Sequence, residues 1–391
     1  YTTLFRSQSG YATSINQLSL MGIDVMHADG YTGKGVTIAV MDSGFPGVNS
    51  LPAFSTMRAE NRIRDTYNYA YNRSDVYGFD SHGENVLSIL ASKPVTNFSG
   101  SAPDADYLLY VTEYVPTEYR IEEYNWLFAA ERADSAGADV INSSLGYFTF
   151  DDPSMDYTYA SMDGKTTRIT RAAEKAAARG MILVTAAGNE GSQAWKYISA
   201  PADGNSVIAV GAVDGSGQRA SFSSVGPSFD GRTKPDIMAQ GALAQFINSS
   251  GALSAGSGTS FSSPVAAGFV AGLIQAQPEK KAAEIISQVR AAGNKAASPD
   301  AFYGYGIPNY AGIRKLITAI NEYAPVRLFP NPGNGDRILF SLPVFTFESP
   351  AVSISDITGK TIHSVHALER ADQPGVYQAD GMMLNSGRYI V

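Results

Sequence analysis

Apolar residues fall in short unbroken runs along the first three quarters of the chain, and segments with helical spacing lie between them. Val36-Thr37-Ile38-Ala39-Val40-Met41 is continuous and rich in β-branched side chains, the pattern of a parallel strand covered on both faces. Residues 107–111, 139–142, 181–185 and 207–213 read the same way. Residues 121–136, 169–179, 259–277 and 279–292 have helical spacing, with Gly180 and Gly293 as stop signals. Residues 311–321 read as a closing helix, and 11–26 as a helix that packs on the main domain. Such alternation predicts parallel strands joined by right-handed crossovers, hence a three-layer α/β fold.

The pattern changes near Tyr323. Phe329-Pro330-Asn331-Pro332-Gly333-Asn334-Gly335 is rich in turn formers, and strand-like runs follow at 337–342, 351–357, 361–365 and 375–378. Asp356-Ile357-Thr358-Gly359-Lys360 reads as a hairpin turn. The predicted organisation is an N-terminal extension over 1–30 packed on the main domain, an α/β domain over 31–322, and a small all-β sandwich over 323–391.

Bulk properties narrow the function classes. A chain of 391 residues has room for one large domain and a small one. The net charge of −8, with no basic cluster, argues against a nucleic acid or an anionic membrane as partner. The absence of cysteine excludes disulfides, thiolate metal sites and cysteine catalysis. No apolar run of about 18 residues is present, so no transmembrane helix is expected. The chain opens at Tyr1 with neither Met nor a signal peptide, which fits a processed form.

Three polar positions stand out against this frame. Asp42 ends the first apolar run, at the strand end where open α/β sheets bind ligands. His82, one of four histidines, opens a helical pattern after Asp80-Ser81. Ser260 lies where a Gly-rich turn becomes the apolar helix of Gly258-Thr259-Ser260-Phe261-Ser262-Ser263-Pro264-Val265-Ala266-Ala267-Gly268. Unpaired N–H groups at a helix start stabilise developing negative charge, and Pro264 is assigned to the first turn, where its missing N–H costs nothing. Taken singly, Ser260 reads equally as an N-cap, Asp42 as a turn former and His82 as a surface histidine.

The order Asp42, His82, Ser260 is that of the subtilisin-like serine proteases, the subtilases. The chain resembles this family over residues 31–310. The matching pieces are Val40-Met41-Asp42-Ser43-Gly44, Ser81-His82-Gly83, Ala187-Gly188-Asn189-Glu190-Gly191 and the Ser260 segment, with landmarks at 207–213 and at Lys234-Pro235-Asp236-Ile237. The resemblance implies peptide hydrolysis with Ser260 as nucleophile, His82 as general base and then acid, and Asp42 orienting His82. It implies an oxyanion hole of Asn189 and the Ser260 N–H. Ser144, Leu145 and Gly146 would form one wall of the S1 pocket, Ala187 and Gly188 (with Ala186) the other, and Ser199 its floor. The absence of a carboxylate at these positions points to a neutral or apolar P1 residue. No cofactor is required for the chemistry, and the expected partners are protein or peptide substrates.

Some positions depart from the family pattern. Glu84 stands where Thr is usual and is expected to face solvent. Phe261 and Ser262 replace the common Met and Ala. Leu51 stands where one usual calcium ligand would be, with Gln17 still a candidate neighbour; structural calcium stays open, at no identified metal site. Residues 147–165, with Asp151, Asp152, Asp156 and Asp163, read as a solvated loop over the cleft, or alternatively as a metal site. The C-terminal segment resembles the sorting domain of the Bacteroidota type IX secretion pathway, on Phe329-Pro330-Asn331-Pro332, Asp356-Ile357-Thr358-Gly359-Lys360 and Leu384-Asn385-Ser386-Gly387-Arg388-Tyr389. This implies a bacterial protein, secreted or at the cell surface, that meets the secretion machinery through a sorting signal cut short at Val391. A generic β domain is the alternative. Two rival functions are a catalytically silent surface scaffold and a serine esterase; the latter lacks the expected Gly-x-Ser-x-Gly elbow.

Overall fold

The computed structural model describes residues 14–93 and 98–314, and beyond them the backbone of seven short strands. Contacts divide the chain into two units, Tyr1–Ile313 and Arg314–Val391.

The first unit is built on seven parallel strands in the order β2-β3-β1-β4-β5-β6-β7. These are β1 Thr37–Asp42, β2 Ile63–Asn68, β3 Asp106–Val111, β4 Val140–Ser143, β5 Ile182–Ala186, β6 Val207–Val213 and β7 Ile237–Gln240. The chain winds to one edge through β3 and β2 and to the other through β4 to β7. β1 is therefore the switch point, the position where doubly wound sheets open a crevice at their carboxyl ends. Its register pairs Asp42 with Val111 on one side and Met41 with Ser143 on the other.

Helices cover both faces. α5 (Ile121–Ser135) and α6 (Arg168–Ala178) lie on one, where Trp126, Ala129, Ile169 and Ala173 pack on Ala39, Met41, Leu108 and Ile141. α4 (His82–Ala91) and α7 (Thr259–Ala276) pack together on the other, with α7 against β4 to β7. Most of α7 is buried, which is why its sequence is apolar or small on every side. The minor elements are α1 Ile15–Ser19, α2 Ile23–Ala28, α3 Ser55–Ala59, the hairpin of β8 Ala244–Ile247 and β9 Leu253–Gly256, and α8 Ala282–Ala291.

Two features differ from the sequence pattern. The helix expected over 11–26 is two short helices within the described residues, because Gly22 turns the chain at φ 71° between them. Leu18, Met21, Ile23 and Met26 are fully buried, so residues 14–28 are an integral layer of the unit. β2 is an edge strand of mixed character, with Asp65 bonded to Arg132 and to the Tyr110 hydroxyl. It lacks the apolar run by which the central strands are read.

The second unit contributes β10 Arg327–Phe329, β11 Arg337–Ser341, β12 Ala351–Asp356, β13 Thr361–His366, β14 Leu368–Glu369, β15 Val376–Asp380 and β16 Tyr389–Ile390. They pair antiparallel in two sheets, β10-β11-β15-β14 and β13-β12-β16. The boundary expected at 322/323 and the C-terminal part of the closing helix lie outside the described residues.

One buried charge cluster locks the far edge of the sheet. Lys234 donates to Asp236 Oδ2 at 2.7 Å and to Val207 O at 3.0 Å. Asp236 also accepts from the Ala209 N–H at 2.8 Å and from Arg290 Nε at 2.9 Å, so one carboxylate joins β6, β7 and α8. Removing it strands a buried ammonium, a loss of about 3–5 kcal/mol in comparable pairs. Asp236→Ala is expected to lose stability on that scale in denaturant unfolding. Lys234→Met should lose less, since Asp236 keeps its Arg290 bond.

Candidate active site

The site starts at the carboxyl end of β1. Asp42 has no exposed surface. Its Oδ1 accepts from the Ser43 N–H at 2.8 Å, from Ser43 Oγ at 3.1 Å and from His82 Nδ1 at 2.7 Å. A carboxylate facing Nδ1 requires the proton on that nitrogen, which leaves Nε2 as the basic one. His82 is the first residue of α4, and its N–H donates to Asp80 Oδ1 at 2.8 Å. Asp80 Oδ1 also accepts from Ser43 Oγ at 3.0 Å. Gly83 permits the close approach: a side chain there would stand 2.5 Å from Gly44 O and 2.8 Å from Asp42 Cβ.

The imidazole is 33% exposed. Burial disfavours its charged form, but the charge and hydrogen bond of Asp42 outweigh that cost, and Asp80 and Glu113 add to it, so the His82 pKa is raised above its ordinary value. His82 is therefore a stronger base than a free histidine, and it needs a higher pH to be neutral.

α7 supplies the hydroxyl. Its N-cap is Gly258, so Ser260 is the second helical residue and does not serve as the cap. The Phe261 ring stands 6.1 Å from the His82 ring, which sets the start of α7 against the start of α4. Pro264 is the sixth helical residue, in the second turn rather than the first. Its missing N–H would have bonded the Ser260 carbonyl. That carbonyl instead accepts from Ser144 Oγ at 2.9 Å. Asn142 Nδ2 lies 3.3 Å from Ser144 Oγ, and Asn142 Oδ1 accepts from Ser263 Oγ at 2.9 Å. The end of β4 is thus stitched to the first two turns of α7.

Asn189 follows β5 and is oriented by α7. Its Oδ1 accepts from the Thr259 N–H at 2.8 Å and from Thr259 Oγ1 at 3.0 Å. An N–H can only donate, so the amide must present its oxygen there and its NH2 on the other side. A methyl carbon placed on Gly258 would stand 3.8 Å from Asn189 Nδ2, from Ser260 N and from Ser260 Oγ alike. Two donors and a hydroxyl therefore face one opening.

The expected pocket residues also come together. Ser199 Oγ fills the space that a side chain on Gly146 would need, and it lies 3.1 Å from the same position on Gly188. The Ser199 N–H donates to Ala187 O at 3.2 Å, and Tyr147 pairs with Ala200. Ser199 therefore sits between the 144–146 and 187–188 segments. Ala187 contributes backbone only, since its methyl is buried with Ile198, Ala202 and Ala209. Leu145 is half-buried against the α5–α6 side. Sequence reasoning missed Asp80, Asn142 and Thr259. It also missed Glu190, whose Oε2 accepts from the Asn189 N–H at 2.7 Å and from Ser224 Oγ at 3.1 Å beside Gly188. Adjacency to a named site residue was the one available signal for Thr259 and Glu190.

The family model described as the subtilase family matches residues 33–306. The chain belongs to the subtilase family. It is 30% identical to subtilisin NAT of Bacillus subtilis subsp. natto over 304 residues, 76% of this chain and 71% of that protein. It is 29% identical to the subtilisin of Bacillus pumilus over 296 residues, 75% and 95% of the two chains. Among solved structures, the MycP3 protease from the type VII (ESX-3) secretion system superposes with a TM-score of 0.61 at 22% identity, covering 79% of this chain and 89% of its own. The prenylagaramide maturation protease PagA gives 0.59 at 21% identity, over 76% and 99%. The protein is accordingly a serine endopeptidase, and subtilases need no cofactor for catalysis.

One expectation about this subtilase is corrected, and two others gain a structural setting. Glu84 does not face solvent: it is 0% exposed, and its Oε2 accepts from the Gly47 N–H at 2.5 Å. Burial raises its pKa against the bonds from Gly47 and Ser249. It braces the loop after β1 and takes no part in the His82 contacts. Gln17 is committed to the backbone of β8, accepting from the Gln245 N–H at 2.8 Å and donating to Gln245 O at 3.2 Å. Residues 147–165 are solvated in part, with Asp151 and Asp156 exposed, but the segment is anchored inward. Tyr147, Phe150, Tyr157 and Met162 are buried in the α5–α6 core. Asp152, Asp156 and Asp163 accept from the Ser154, Phe150 and Thr166 N–H groups, and Asp151 from Glu118. The acids here close turns.

The pH dependence follows from the charges on His82. Asp80→Asn keeps an acceptor for the His82 N–H but removes a charge that raises the imidazole pKa. With His82 as the general base expected from the sequence, the neutral imidazole is the active form, so the acid limb of the kcat/KM profile should move to lower pH in this variant. An unmoved limb would show that Asp80 does not set the basicity of His82.

Proposed function

We propose that Asp42, His82 and Ser260 hydrolyse peptide bonds, with Asn189 Nδ2 and the Ser260 N–H as the oxyanion hole. The observation that carries this reading is the facing of Asn189 Nδ2, Ser260 N and Ser260 Oγ on one opening. Ser260 Oγ attacks the carbonyl carbon and passes its proton to His82 Nε2. The carbonyl oxygen becomes the oxyanion and takes both donors. As the C–N bond breaks, His82 returns the proton to the leaving amine. Water then repeats the sequence on the acyl-enzyme and frees Ser260. Asp42 stays ionised and holds the imidazolium in place.

The substrate runs extended between the 144–146 and 186–188 segments, with its P1 side chain over Ser199. A neutral or apolar P1 residue suits this pocket. Glu190 is the nearby carboxylate, and its Oε2 is already engaged by Asn189 and Ser224. P1 Phe or Leu peptides are expected to exceed P1 Lys in kcat/KM.

Motif matches in the second unit, together with its two antiparallel sheets, support a small sorting-type β-sandwich of a Bacteroidota protein. On this reading the enzyme is exported and meets the secretion machinery through residues 323–391. Deleting them should leave the enzyme inside a type IX-competent host.

Fluorophosphonate labelling with peptide mapping tests the chemistry. The label should fall on Ser260 and vanish in Ser260→Ala, with kcat falling by about a millionfold. Asn189→Ala should lose about 10²–10³ in kcat with little change in KM. An unlabelled wild-type protein would favour the silent scaffold; labelling with ester turnover but no peptide turnover would favour the esterase.

A further inference from the structure

On the sheet's carboxyl edge beside Asp42, three carboxylates converge. Glu113 follows β3, Glu118 lies in the loop before α5, and Glu122 is in the first turn of α5. One oxygen from each lies within 4.8 Å of the others. Glu113 and Glu122 are 8% and 1% exposed. Among the described residues none of the three is ion-paired. The one cation of the segment 112–123, Arg120, is turned away to Met155 O and over the Tyr157 ring.

Their neutral partners do not complete them. Glu113 Oε1 accepts from Tyr147 Oη at 2.6 Å and from Thr112 Oγ1 at 2.7 Å. Glu122 Oε1 accepts from the Tyr114 N–H at 2.8 Å. Glu122 Oε2 is buried without a hydrogen-bond partner, and the Glu118 side chain, another acceptor, lies against that of Glu122. Two carboxylate oxygens this close need a proton or a cation between them.

We propose that Glu113, Glu118 and Glu122 form a binding site for a divalent cation, with Ca2+ the best match. Oxygen ligands sit about 2.3–2.6 Å from Ca2+, so opposite ligands are about 5 Å apart, the span of this cluster. Ca2+ takes about 6–8 oxygens. Glu118 is half-exposed, so water reaches the open side and completes the shell. Mg2+ demands a tighter octahedron and suits the spacing less well. Without an ion, burial holds all three carboxyl groups above the ordinary carboxylate range. Through Glu113 and Tyr147 the bound ion ties β3 and the start of α5 to the segment that carries Gly146 and pairs with Ala200.

The test uses full-length protein carrying Ser260→Ala to prevent self-digestion, freed of metal with chelator. It is titrated with CaCl2 by calorimetry and with Tb3+ by tyrosine-sensitised luminescence, which Tyr147 is placed to drive. One ion per chain is expected, with Tb3+ displaced by Ca2+ and a Tm that rises with Ca2+. Glu122→Gln and Glu118→Gln in the same background should each bind at least tenfold more weakly and lose the rise in Tm. Glu118 is half-exposed, so Glu118→Gln decides the matter if Glu122→Gln does not fold. No binding up to about 10 mM Ca2+, the weak end of protein sites, would overturn the proposal. Binding undiminished in either folded variant would place the ion elsewhere and overturn it equally.

Discussion

Burial of most of α7 leaves backbone groups in its first turns in need of protein partners, and the arrangement of the site follows from how they are satisfied. Helix starts expose N–H groups that have no intrahelical acceptor, and Pro264 adds an unbonded carbonyl at Ser260. In a surface helix solvent would meet both needs. Here Asn189 accepts from the Thr259 N–H and Ser144 donates to the Ser260 carbonyl. The same bonds orient the Asn189 amide and draw the end of β4 to Ser260. A requirement of buried polar groups thereby sets the geometry of the proposed oxyanion hole and of one pocket wall.

Electrostatics around the site has one sign. Asp42, Asp80 and Glu113 all raise the pKa of His82, so a protonated imidazole there, as the proposed mechanism needs, meets a field that favours it. Coulomb attraction in a poorly solvated site is stronger than in water. At the opposite edge of the sheet the cost of buried charge is met by pairing Lys234, Asp236 and Arg290. The Glu113–Glu118–Glu122 cluster has no such ion pairing among the described residues.

Glu84 illustrates how one residue type changes meaning with its surroundings. At a helix start a glutamate ordinarily meets solvent and the positive end of the helix dipole. In this protein the loop after β1 folds over that turn, and Gly47 supplies an N–H to the carboxylate. The aromatic and acidic segment 147–165 behaves alike. Tyr147, Phe150 and Tyr157 turn inward to the core that holds Trp126 and Ile169, and the segment's acids accept from backbone N–H groups.

The sequence by itself determined the alternation of β1, β3, β4, β5 and β6 with α5, α6, α7 and α8, because central strands and buried helices carry continuous or periodic apolar runs. It also carried Asp42, His82, Ser260 and Asn189, since each stands beside a glycine or a strand end in a motif with local constraints. Tertiary structure decided what depends on partners distant in the chain. β2 and the β8–β9 hairpin carry no continuous apolar run. Pro264 takes its meaning from Ser144, 120 positions earlier. Glu113 and Glu122 are ordinary acids in the sequence and become an unpaired buried cluster only when β3 and α5 meet. The physical reason is range: propensity and periodicity act within a few residues, whereas burial and charge pairing are set by whichever segment the fold brings alongside.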